Sequence, residues 1–134
     1  MVRREAREVL FTLVFEYSYK PQLDYAQVYA LAISERGIED DEYLKKGFEG
    51  VITNLEVIDQ KIGENLNGWN VSRLAKPTLA ILRVCVYEML YCDDIPFNVS
   101  INEAIELAKK YDDDKAPKFI NGVLNSVSEK EGLK

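Results

Sequence analysis

The chain of 134 residues contains no histidine. That removes the commonest general base near neutral pH and the commonest metal ligand. Cysteine is nearly as scarce, with Cys85 and Cys92 the whole supply. Seven residues apart on one straight helix, their backbones stand about 10 Å apart, too far for a disulfide. The spacing does not suit a zinc site either. Flanked by Val, Leu and Tyr, the two read as buried, hydrophobe-like thiols in a reducing, cytoplasmic setting. The seven glycines are scattered, and neither G-x-x-x-x-G-K nor G-x-G-x-x-G occurs among them. No apolar run approaches the roughly 20 residues of a membrane span. The N-terminus is charged from Arg3 onward, unlike a signal peptide. No enzyme mechanism, metal, cofactor or membrane association is proposed by these residues.

Positive charge is also in short supply. The net charge is −6, which argues against a protein that coats nucleic acid unselectively. The distribution is uneven, however. Residues 1 to 20 carry Arg3, Arg4, Arg7 and Lys20 against Glu5, Glu8 and Glu16, a net +1, which leaves −7 for the remainder. The acidic runs Glu39 to Glu42 and Asp112 to Asp114 lack the alternation and glycine of a calcium loop. Both precede expected helices, where negative charge favours the helix dipole.

What the chain has in quantity is helical periodicity. Its hydrophobic content is 47%, enough for one domain over residues 1–134 with a sizeable core. Val9, Leu10, Leu13, Val14 and Tyr17 mark a first helix from residue 3 to about 19, ended by Lys20-Pro21. A second is expected from a cap at Asp24 to Arg36, with Gly37 as its stop. Asp40 or Asp41 opens a third, read as one long helix whose stripe runs from Tyr43 to Ile62. Within it, Gly47 and Gly50 permit close helix approach or a slight bend. Asn67-Gly68 signals a turn, and a short helix follows from Ser72. The fifth helix runs from about Pro77 to Tyr91 and is apolar on nearly every face, which makes it the central one. Ser100-Ile-Asn-Glu103 has the form of a capping box opening a sixth helix. Pro117 opens a seventh. No strand alternation persists anywhere, so the fold class is all-α with about seven helices.

Few residues propose a function. Arg3, Arg4 and Arg7 put positive charge at a helix N-terminus, against the dipole, which the fold does not require. Arg3 and Arg7 share a face, with Arg4 alongside, and guanidinium groups so placed grip phosphate or stack on bases. The alternative is a soluble, salt-bridged helix end, with Glu8 four residues past Arg4. Lys118 and Phe119 offer a charge and a stacking ring at the start of the seventh helix, although a phenylalanine so placed is more often a core residue. Arg83 lies inside the most apolar helix and needs a partner, for which Glu88 and Glu103 are the candidates.

Several of these segments, in order, resemble the NusB family of transcription antitermination factors. RREAR at 3 to 7 matches that family's basic helix start. ILRVCVYEML at 81 to 90, DIP at 94 to 96, INEAIELAKKY at 101 to 111 and KFINGVL at 118 to 124 follow in the family's order and spacing. The resemblance implies two packed three-helix subdomains. It also implies binding of single-stranded boxA-type RNA together with a ribosomal protein, S-ten or NusE, within the RNA polymerase antitermination complex of ribosomal RNA transcription. Arg3, Arg4 and Arg7 would then lie at the RNA with Lys118 and Phe119 as neighbours, and Phe15 would face the ribosomal partner. Glu5 interrupts the basic stretch, so weak RNA affinity is expected without that partner. The runner-up is an interaction module without RNA binding of its own, like the domain fused to an RNA cytosine methyltransferase; the end at Lys134 disfavours it. A homodimer through the partner surface is a further alternative.

Overall fold

Helix boundaries follow the local signals closely wherever a cap and a stop stand near each other in sequence. The computed structural model describes residues 1–133. It consists of α1 (Arg3–Tyr17), α2 (Tyr25–Arg36), α3 (Glu42–Thr53), α4 (Leu55–Gly63), α5 (Lys76–Tyr91), α6 (Phe97–Tyr111) and α7 (Ala116–Lys130), with a one-turn 3-10 helix at Val71–Arg73. There is no strand among the described residues. The Asp24 carboxylate accepts from the Ala26 N–H at 3.0 Å, and Gly37 closes α2 in the left-handed region at φ 67°. Asp41, rather than Asp40, caps α3 by accepting from the Leu44 N–H at 3.1 Å. Asp113 opens α7 in the same manner, accepting from the Lys115 and Ala116 N–H groups at 2.9 and 3.0 Å.

Three expectations are corrected. The single long third helix is two helices, α3 and α4, broken at Asn54. The Asn54 side-chain amide donates to the Gly50 carbonyl at 2.8 Å, and its backbone leaves the helical region at φ −110°, ψ 18°. A polar side chain that bonds its own helix thus competes with continuation of that helix. The expected capping box does not form, because α6 starts a turn earlier at Phe97, after Pro96. Ser100 and Glu103 are therefore interior helical residues, free to bond elsewhere. Arg83 pairs with neither expected glutamate. It makes a bidentate contact with Asp59 of α4, with Nε and Nη2 donating at 2.9 and 2.8 Å.

The helices form two packed groups that share α5. Leu10, Leu13 and Val14 of α1 meet Leu44, Phe48 and Val51 of α3 in the first group, with α2 laid against α3. In the second, α5, α6 and α7 pack through Ile101, Ala104, Ala108, Ile120, Val123 and Leu124. Helix α5 also touches α1, α3 and α4, and Thr78 through Met89 are buried on it with the sole exception of Arg83, which is partly exposed. Gly47 and Gly50 give close approach. A Cβ on Gly50 would fall 2.2 Å from Tyr87 Cε1, and one on Gly47 would fall 2.7 Å from Leu10 Cδ2. No helix among the described residues is long and apolar enough to cross a membrane.

Candidate nucleic-acid interface

The polar residues at the start of α1 are held by a buried charge network centred on α5. Glu88, with 1% of its side chain exposed, accepts from Arg7 Nε at 2.8 Å and Nη2 at 3.3 Å. Ser100 Oγ donates to the same carboxylate at 2.7 Å, and the Tyr43 hydroxyl donates to its other oxygen. Burial alone would lower the pKa of Arg7, but the hydrogen bond and charge of Glu88 outweigh it and raise it. Burial beside Glu88 likewise pushes the Tyr43 phenol up, so it stays a donor. Arg7 is thus 4% exposed and faces the interior, although Arg3 lies one turn before it.

Arg4 and Arg3 are the exposed members of the basic tip. Arg4 spans to α6, donating from Nε and Nη2 to Glu103 at 3.0 and 2.7 Å. The hydrogen bond from Arg4 holds the Glu103 carboxyl below its ordinary range. Arg3 lies over the Tyr43 ring at 4.4 Å and makes no ion pair among the described residues. Between α1 and α6 runs an open cleft of about 340 Å³, lined by the cations Arg4, Arg7, Lys109 and Lys110, the carboxylates Glu8, Glu103 and Glu106, and Leu107. At its far end Lys110 donates to Glu8 at 2.7 Å and the Tyr111 hydroxyl bonds the same carboxylate. Those contacts, Lys110 first, lower the pKa of Glu8.

Beyond that cleft lies an aromatic surface. Tyr111, 39% exposed, packs on buried Phe11 with ring centroids 5.0 Å apart. Half-buried Phe15 sits between Phe11, at 6.3 Å, and the exposed Tyr19, at 5.3 Å. The Lys76 ammonium stands 5.1 Å above Tyr19. Lys118 is exposed and Phe119 is partly buried against the core, lining a second cleft. The two do not adjoin the arginines of α1. Phe119 meets the start of α5 beside Thr78, whereas Arg7 meets its end at Glu88, about 15 Å along the helix axis. Tyr19, Tyr111 and Lys110 carried no local signal, because only the packing of α1 and α6 side by side on α5 sets them in one surface.

The arrangement offers cations, exposed rings and an open groove, and among the described residues no cluster of groups could hold a metal ion. Residues 4–129 match the family model described as the NusB family. The chain belongs to the NusB family. It is 42% identical to the transcription antitermination protein NusB of Listeria monocytogenes serotype 4a over 128 residues, 96% of this chain and 97% of that protein. It is 43% identical to that of Bacillus licheniformis over 127 residues, 95% and 96% of the two chains. Among solved structures it resembles T. maritima NusB with a TM-score of 0.88 and 31% identity, covering 97% of this chain and 92% of that one. It also resembles a chain in a crystal structure of antitermination factors NusB and NusE with double-stranded RNA, with a TM-score of 0.83 and 25% identity over 97% and 99% of the two chains.

Proposed function

We propose that this NusB-family chain is a transcription antitermination factor that binds boxA-type single-stranded RNA together with the ribosomal protein S-ten (NusE), in the cytoplasm and without catalysis. The observation that carries this reading is the near full-length likeness to a NusB present in a complex with NusE and RNA. The open groove between α1 and α6, where four cations stand among three carboxylates, supports it from this chain's own residues. Arg4 contacts phosphate or bases at the head of the groove, and Arg3 does so from beside Tyr43 at the same helix end. Arg7 acts from beneath by fixing the start of α1 on α5. Lys118 and Phe119 contact the strand further along, and Phe15 with Tyr19 faces the ribosomal partner.

Affinity for RNA alone is low in this reading, because Arg4 and Lys110 already face Glu103 and Glu8. A phosphate must compete with those carboxylates. A basic partner adds contacts and so tightens RNA, with reciprocal tightening of the partner by RNA. The test is binding of a labelled boxA-type RNA over a salt series, with and without the ribosomal protein. The expected result is partner-dependent tightening, and a salt slope lower by about 1.4 in Arg3→Ala/Arg4→Ala, two phosphate contacts on a single strand. RNA ignored in every condition while the partner still binds would leave an interaction module only.

A further inference from the structure

We propose that the cleft formed by Trp69, Arg73 and Phe119 is a second contact site for single-stranded RNA, where a base stacks on the Trp69 indole and Arg73 holds an adjoining phosphate. The proposal rests on the RNA-binding reading and extends it to the 3-10 turn ahead of α5. Trp69 is 60% exposed, more than any other ring among the described residues. A tryptophan left in water on an otherwise well-covered core is an unspent stacking surface. Asn67-Gly68, with φ of 50° and 92°, turns the chain to present it, and the Leu66 carbonyl accepts from the Trp69 N–H at 3.1 Å.

The charges around the ring point to an anionic chain as the occupant. Arg4, Arg7, Arg36 and Arg83 all face carboxylates, and Arg3 covers Tyr43. Arg73 alone among the arginines has no side-chain partner among the described residues, although the protein is acidic overall. Exposed Lys115, just before α7, and Lys118, in its first turn, stand nearby, and their side chains are also unpaired among the described residues. The one acid lining the cleft, Asp113, has its carboxylate engaged by two backbone N–H groups. The cleft floor is apolar, made by Leu74, Ala75, Ala116 and the Phe119 ring, with a volume of about 350 Å³. Flat rings over an apolar floor, flanked by free cations, are the elements of a stacking platform for unpaired bases.

The cleft also continues the surface already described. Thr78, on its wall, donates to Asp112 at 2.6 Å, and Asp112 directly follows Tyr111 at the end of the α1–α6 groove. A strand leaving that groove past Tyr111 meets Phe119 and then Trp69.

Trp69 is the only tryptophan, so its emission reports on the cleft without a label. The intact protein is titrated with boxA-type single-stranded RNA extended by several nucleotides at the 5′ end, the 3′ end or both. Polarisation of a dye-labelled copy follows total binding in parallel. The expected result is quenching of Trp69 at the same midpoint as the polarisation change, with one extension required. Trp69→Ala should weaken binding about tenfold, the loss of one stacked base, while Trp69→Phe keeps most of it. Arg73→Ala should lower the salt slope by about 0.7. Polarisation showing normal binding, with constant emission and unaffected variants, would overturn the proposal and leave the RNA reading intact. Emission that responds to the ribosomal partner alone would make the cleft a protein surface instead. Absence of RNA binding in polarisation would overturn both readings.

Discussion

Replacing Arg7 by methionine separates a structural arginine from an RNA-contacting one. The guanidinium has 5% of its side chain exposed and its partner Glu88 only 1%, so the substitution strands a carboxylate in the core. Breaking a buried pair from one side costs about 3–5 kcal/mol. Against a total on the order of 5–15 kcal/mol, that lowers the melting temperature by roughly 10–20 °C. Ser100 and Tyr43 still donate to the carboxylate and keep the loss from being larger. Urea denaturation followed by circular dichroism reads the deficit. Arg7→Met/Glu88→Gln, which removes the stranded charge while keeping acceptor and donor groups, should regain most of the loss. A deficit below about 1 kcal/mol, or no recovery in the double variant, would refute the reasoning.

Two further outcomes follow from the packing and the surface pairs. Gly50→Ala should destabilise by about 1–3 kcal/mol, because its methyl group meets the Tyr87 ring, whereas Gly122→Ala on open α7 should stabilise by up to about 1 kcal/mol; thermal unfolding of the two variants checks the contrast in sign. The Glu103 and Glu8 carboxyls have lowered folded-state pKa values, caused first by the Arg4 and Lys110 hydrogen bonds, so their contribution is present above about pH 4.5 and lost as pH falls through the folded values. Glu103→Gln/Glu8→Gln should therefore flatten the acid limb of a stability-against-pH curve, and an unchanged limb would count against both pairs.

Much of the fold was legible because its signals are local. Asp24 and Gly37 bracket α2 within fourteen residues, and Pro77 stands at the start of α5. What escaped depends on competition or on distance. Ser100 and Glu103 satisfy a capping pattern, but Pro96 starts α6 first, and the freed side chains then serve Glu88 and the basic tip. Asn54 looks harmless inside a helical stripe until its amide takes the Gly50 carbonyl. Arg7 and Glu88 are 81 residues apart, and Arg83 found Asp59 across two helices, so no spacing rule could pair them. In the candidate site the charges were visible and their engagement was not. The sequence shows three arginines at one helix end, while packing decides that one is interior, one is paired across to α6 and one rests on a ring.

The sharing of α5 between the two helix groups bears on how the molecule is made. Synthesis delivers α1, α2 and α3 well before α5, yet Leu10, Leu13 and Val14 share their core with Leu82, Val86 and Met89. The early helices emerge with part of that core uncovered and Arg7 without its buried carboxylate. Docking of the first half therefore waits until about residue 91 has cleared the ribosome, and the nascent chain passes through a stage at which chaperones have apolar surface to hold. A chain cut between α4 and α5 therefore leaves the first group without the helix that completes its core.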